Sequence, residues 1–252
     1  EPVAEGEEID PDMLSDPDGV LADVRLAEIY DDGRRWLAIG NAQGRDVADG
    51  WLVGMEDGSS RPGNPVMRLD DTTLQWAPIE NAVAGRIGGT YWAPWMVDLD
   101  GNVAMSSDSG LITVGSGARD VGEGWMLEGQ RQEDGGFAVK RFDFQTGSWV
   151  DLGISALRVG GSYNDPWLVG PQGDVLRWNG DAFQSLPGLK ARDVAQGWAI
   201  GDRLTNEGYT IHFFDDATAS WKRVQGGAAN IGGTRDFPMI IGYADNRVYV
   251  FR

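Results

Sequence analysis

Six residues alternate acid and base along the chain: Asp46, Arg86, Asp120, Arg158, Asp193 and, at the sixth place, Asn230. Each stands just before a Val or Ile at the start of a short β-type run. If those runs lie side by side, carboxylates and guanidiniums pair across them, and buried pairs of this kind specify an arrangement more than they stabilise it. A structural role for this inner set is therefore expected. A second set recurs at steps of 72 residues: Tyr91-Trp92-Ala93, Tyr163-Asn164-Asp165 and Arg235-Asp236-Phe237. Aromatic faces stack on apolar ring surfaces while Asn, Asp and Arg hold hydroxyl groups. Tyr91, Trp92, Tyr163, Asn164, Asp165, Arg235, Asp236 and Phe237 are thus the candidate ligand-binding residues, with chemistry suited to sugars.

Catalytic chemistry finds no comparable set, and no catalytic residue is assigned. The chain has no cysteine, which removes thiol nucleophiles, disulfides and Cys-ligated metals together. His212 is the only histidine, and without a carboxylate motif beside it neither a zinc site nor a Ser-His-Asp triad is expected. Asp215-Asp216 could serve as glycosidase carboxylates, but the pair sits at a turn and repeats as Asp70-Asp71, so solvated turn chemistry is expected. "DLDGN" at 98–102 lacks the remaining positions of a calcium loop and falls where a hairpin must turn. No metal and no cofactor are expected.

The positioning elements follow from an internal repeat. "GRDVADGWLVG" at 44–54 returns as "ARDVGEGWMLE" at 118–128 and "ARDVAQGWAIG" at 191–201. Between these lie "RIGGTYWAPWMVDLDGNV" from Arg86, "RVGGSYNDPWLVGPQGDV" from Arg158 and "NIGGTRDFPMIIGYADNRV" from Asn230. Each unit holds three or four short β-type runs separated by turn residues, without helical periodicity. Three copies of a two-unit repeat describe an all-β, six-bladed β-propeller of four-stranded antiparallel blades. The chain ends at "VYVFR", a third strand, so the strand near Trp36 is expected to complete the last blade and close the ring. Residues 21–252 then form a single domain. The acidic, unpatterned stretch 1–20 reads as a flexible tail, left either by removal of a signal sequence or by where the chain was cut.

These repeats, with the "GG…PWLV…GDVLRWNG" block and Ala-initiated inner strands, resemble the tectonin family of β-propeller proteins. The resemblance covers about residues 33–252 and is best over 156–190. It implies a six-bladed propeller acting as a lectin for bacterial or other surface glycans, O-methylated sugars included.

Aligned units sort the eleven tryptophans. Trp51, Trp125 and Trp198 share one second-strand position, and Trp95, Trp167 and Met239 share its counterpart. Trp36, Trp76, Trp149 and Trp221 open outer strands together with Phe183, and Trp178 ends a third strand. All of these are expected between blades. Trp92 alone has no aromatic counterpart, and it either faces a ligand or lids its own blade.

A formal charge of −18 repels phosphate backbones, so no nucleic acid is expected, and no apolar run is long enough to insert into a membrane as a helix. The resulting expectation is a non-enzymatic glycan binder, extracellular or periplasmic. The alternative is a structural adaptor docking onto a secreted or surface partner protein. The ligand and the oligomeric state are left open.

Overall fold

The computed structural model describes residues 34–55, 63–107 and 110–252. Stretch 1–20, expected as a tail, and the expected domain start at residue 21 lie outside the described residues. Every regular element among the described residues is a strand, as short apolar runs broken by Gly and Asp dictate.

The first four strands are β1 (Trp36–Ala48), β2 (Trp51–Gly54), β3 (Asn64–Asp70) and β4 (Gln75–Ala84). β5 (Arg86–Thr90), β6 (Ala93–Val97), β7 (Val103–Ser107) and β8 (Gly110–Gly115) form one antiparallel sheet. β9 (Ala118–Gly122), β10 (Trp125–Arg131), β11 (Phe137–Asp143) and β12 (Ser148–Ala156) form another. Next come β13 (Arg158–Gly161), β14 (Pro166–Val169), β15 (Asp174–Trp178), β16 (Phe183–Ala195), β17 (Trp198–Thr205) and β18 (Gly208–Asp215). β19 (Ser220–Gly233), β20 (Pro238–Gly242) and β21 (Arg247–Phe251) end the series. The strands from β13 to β21 continue into β1 to β4 as one hydrogen-bonded sheet.

That long sheet is continuous because three strands each serve two groups. In β16, Phe183 pairs with Trp178, while Ala195, past a register shift, pairs with Trp198. β19 bridges β18 and β20 in the same way. In β1, Trp36, Leu37 and Ala38 pair with Phe251, Val250 and Tyr249 of the final strand, and Asp46 to Ala48 pair with β2. The first described strand is thereby hydrogen-bonded to the last.

Side chains join successive four-stranded groups. Trp125, Leu127 and Val139 pack with Val159, Leu168 and Trp178 of the next group. Leu52 and Leu69 pack likewise with Met239 and Val250. Trp51, Trp95, Trp125, Trp167 and Trp198 are all buried, as is Met239 in the same role.

The first strand of each group touches its counterparts in cyclic order: β1 with β5, β5 with β9, β9 with β13, β13 with β16, β16 with β19, and β19 with β1. Two clasps alternate around this cycle. Oδ2 of Asp46, Asp120 and Asp193 accepts the backbone N–H of Ile87, Val159 and Ile231 in the next group, at 2.9, 3.0 and 3.0 Å. In the intervening steps, backbone meets backbone through the first glycine of each Gly-Gly pair. A Cβ on Gly88, Gly160 or Gly232 would lie 2.1, 2.2 or 1.8 Å from the carbonyl oxygen of Val121, Val194 or Val47. Only glycine permits that approach. The fold is all-β and propeller-like.

Candidate functional site

The inner-strand residues converge on the axis of the cycle. Asp46, Asp120 and Asp193 are 1, 3 and 2% exposed, and one guanidinium serves all three. Arg158 Nη2 lies 2.9 Å from Asp193 and 3.8 Å from Asp46, and its Nε lies 3.3 Å from Asp120. Arg86 reaches Asp46 alone, at 3.7 Å. At the third equivalent position, Asn230 donates Nδ2–H to Asp193 at 3.5 Å. The six inner residues are thus brought together: Arg86 pairs with Asp46, Arg158 with both Asp120 and Asp193, Asn230 with Asp193, and Arg158 also reaches across to Asp46. The axis beside them holds a cavity of about 20 Å³ walled by inner strands, room for about one water.

Burial pushes the Asp46 carboxyl up to about 6; Arg86 and Arg158 oppose the rise, and Asp120 and Asp193 add to it. Burial works against the Arg158 charge, but Asp120, Asp193 and Asp46 outweigh it and hold the guanidinium above its usual range. His212, part-buried and hydrogen-bonded to Thr210 at 2.9 Å, is pushed down to about 4 by burial and by Arg223.

These two shifts have opposite consequences for stability. A folded-state carboxyl pKa above the unfolded value loses stability as pH rises from about 4 to about 6. An imidazole pKa below the unfolded value loses stability as pH falls from about 6.5 to about 4. In the parent protein the two trends offset each other. Asp46→Asn removes the first, so its urea midpoint should fall more steeply than the parent's between about pH 6 and pH 4. Parallel profiles would contradict the Asp46 assignment.

The three loops that follow inner strands β5, β13 and β19 share one construction. Their first residue is turned under the loop. Tyr91 and Tyr163 donate their hydroxyls to the carbonyls of Leu69 and Phe142, at 3.2 and 3.0 Å. Their own carbonyls accept from the indoles of Trp51 and Trp125, both at 3.0 Å. Arg68 and Arg141 stack over the Tyr91 and Tyr163 rings at 4.4 and 4.6 Å. In the third copy the partners are exchanged: Arg235 occupies the tyrosine position and lies 5.2 Å from the Phe213 ring, which stands where Arg68 and Arg141 stand. A cation over an aromatic ring is retained with the two side chains swapped.

Five of the sequence candidates have partners within the protein. Tyr91, Tyr163 and Arg235 clamp one group onto the preceding one. Asp165 accepts from Arg177 at 2.9 Å and from Gln196 at 3.1 Å. Phe237 packs into the apolar cluster around Met239. These positions are occupied because each loop must cover a buried tryptophan or core cluster beneath it. Asp216 is the exposed turn residue expected, and it also pairs with Arg177 at 2.7 Å and Arg235 at 2.9 Å. Asp215 does cap its turn, accepting from Ala217 at 3.0 Å. Asp98 likewise caps its hairpin, accepting from the backbone N–H groups of Asp100 and Asn102 at 2.9 and 2.8 Å.

The middle residue of each loop is the one presented outward. Trp92, Asn164 and Asp236 are all exposed, Trp92 by 82%. Trp92 does not lid its blade. Its ring stands edge-on to Tyr91 at 4.9 Å, with the Arg68 guanidinium 5.8 Å away. The turns after β3 and β11 expose Leu74 and Phe144, by 38 and 55%. Phe144 contacts Tyr163 edge-on at 5.1 Å. The apolar turn residues escaped the sequence reading because a hydrophobe in a turn carries no periodic signal.

At the other end of the inner strands, an open cleft of about 390 Å³ is lined by Arg45, Arg86, Arg158, Arg192, Asn64 and Leu99 among others. The arginine preceding each inner aspartate was visible in the repeat; the difference between Arg45 and Arg192, which line the cleft, and Arg119, which does not, was not. Among the described residues no group of three or more His, Asp or Glu side chains is placed to hold a metal ion, and no helix is long and apolar enough to cross a membrane.

No protein-family model matches the chain, and no curated protein matches it in sequence. Solved structures do. A structural genomics protein of unknown function from Bacteroides thetaiotaomicron VPI-5482 matches with TM-score 0.53 and 11% identity, over 85% of this chain and 70% of that one. TolB from Acinetobacter baumannii matches with TM-score 0.51 and 11% identity, over 87% of this chain and 64% of that one. The WD40 beta propeller domain of Doa1 gives TM-score 0.46 and 14% identity, over 88% of this chain and 97% of that one. The structures it resembles are β-propeller proteins, and at such identities the likeness concerns fold alone.

Proposed function

We propose that this chain is a non-enzymatic, lectin-like six-bladed β-propeller of the tectonin type, binding a cell-surface or extracellular glycan outside the cytoplasm. The cyclic contacts of six inner strands and the pairing of Trp36 with Phe251 support the six-bladed, closed reading. One observation carries the ligand reading: Trp92, 82% exposed, is held upright on a half-buried Tyr91–Arg68 base. A large ring left in water on a fixed support offers a stacking face with little ordering entropy left to lose. Asn164 and Asp236, exposed at the same loop position, supply hydrogen-bonding groups to the same face.

A screen of surface saccharides tests this reading. A bound saccharide is expected in the micromolar-to-millimolar range, and Trp92→Ala is expected to weaken it by about tenfold or more while leaving the thermal midpoint unchanged. No saccharide bound by the parent protein, or equal affinity in the variant, would sink it.

The second reading, an adaptor that docks onto a partner protein, draws on two exposed apolar residues, Phe144 beside the Tyr163 loop and Leu74 in the turn after β3. A stoichiometric protein recovered with the native chain and released by Phe144→Glu, with no saccharide bound, would favour it.

A further inference from the structure

The arginine-lined cleft stands apart from the Trp92 face and borders the inner cycle at Asp193, one of the clasp residues. Four arginines face one aspartate in its lining, on a chain whose formal charge is −18. Their situations differ. Arg158 is committed to three carboxylates below, and Arg86 to Asp46. Arg45 and Arg192 are exposed and pair with no carboxylate among the described residues. Arg192 lies 3.7 Å from the Tyr209 ring centre, and Tyr209 stands edge-on to the exposed Tyr243 at 5.7 Å. Stacking leaves the planar guanidinium held in one orientation with its N–H edge free, the condition for forked recognition of an oxyanion.

Two further features suit a ligand here. Asn64 is 4% exposed and its Oδ1 has no donor, although its Nδ2 donates to the Ala84 carbonyl at 3.2 Å, so it can accept from a hydroxyl or protonated oxygen carried by the anion. Leu99 is 59% exposed and contributes an apolar wall. A volume of about 390 Å³ matches small-molecule sites. The nearest hairpin carboxylate, Asp98, is occupied in capping its own turn and does not neutralise the arginines.

We propose that this end of the propeller axis is a second binding site, for a small multivalent anion bearing carboxylate or phosphate groups, with Arg45 and Arg192 as its principal contacts. The site is independent of the glycan reading. In a field this acidic overall, a focused cationic cleft selects anions by position and not by bulk attraction.

Calorimetric titration with citrate, with inorganic phosphate and with neutral glucose tests the proposal. One or both anions should bind saturably and weaken with added salt, while glucose should not bind at this site; the stronger anion identifies carboxylate or phosphate chemistry. Arg45→Gln with Arg192→Gln should weaken binding by about tenfold or more. Arg45→Gln alone, at an exposed and unpaired side chain, should weaken it in the same direction if the double variant folds poorly. Arg119→Gln is the control: Arg119 is the repeat equivalent but stacks on Phe137 at 4.5 Å and does not line the cleft. Trp92→Ala should leave anion binding unchanged. Absence of saturable binding by either anion, or equal loss in Arg119→Gln, would overturn the site.

Discussion

Arg158→Met should lower the stability of this protein by about 3–5 kcal/mol at neutral pH, the range for breaking a buried ion pair from one side. The substitution keeps a long side chain in the axial space but removes the cation within 2.9, 3.3 and 3.8 Å of Asp193, Asp120 and Asp46. Those carboxylates stay buried, and among the described residues Arg86 sits within ion-pair distance of Asp46 and no other carboxylate. Asp46, already pushed up to about 6 by burial, loses one of the two guanidiniums that oppose the rise, so the deficit should shrink as pH is lowered toward about 6. Urea titrations of parent and variant at the two pH values measure this. A loss under about 1 kcal/mol, or one independent of pH, would mean that the three aspartates do not depend on this guanidinium. Arg86→Met is the natural comparison and should cost less, since it touches one aspartate at 3.7 Å.

Gly232→Ala should be comparably damaging for a different reason. The added carbon would sit 1.8 Å from the Val47 carbonyl oxygen and 2.6 Å from its carbon, atoms that cannot rotate away. Two inner strands nearly two hundred positions apart in sequence would have to separate, at a cost of about 3 kcal/mol or more, the upper end for overpacking. The control lies in the same cycle. Gly122 has ordinary space, with Val159 Cγ2 as the nearest neighbour at 3.4 Å, and its repeat equivalents are already Ala48 and Ala195. Gly122→Ala should be neutral or stabilising by about 0.5 kcal/mol through the unfolded chain. Thermal midpoints of the two variants decide between them, and equal effects would contradict the close-approach account.

How much of this was legible in the sequence depends on which interaction each residue makes. The strand pattern was readable because the repeat registers Trp51 with Trp125 and Trp198, and the run at Trp36 with the outer strand at Phe183. The alternation of Asp46, Arg86, Asp120 and Arg158 was readable too, but the single guanidinium at the axis was not. Equivalent positions in a repeat imply equivalent places, and the axis has room for one such group. The loops misled in the opposite direction. Their residue types suited a ligand, yet Tyr91, Tyr163, Arg235 and Asp165 each also bond a residue of a neighbouring group. One signal for this was present: the column Arg68, Arg141, Phe213 varies in step with Tyr91, Tyr163, Arg235. Reading it required knowing that those two columns meet across a group boundary, which no local pattern states.

The measurement that bears most directly on the proposed function is amide and indole NMR of the protein during titration with a saccharide found by screening. The account predicts that the Trp92 indole N–H and the backbone amides of Trp92, Asn164 and Asp236 shift together and saturate at one affinity. Saccharide-induced shifts confined to the Arg45 and Arg192 rim, or spread without saturation over the surface, would contradict it.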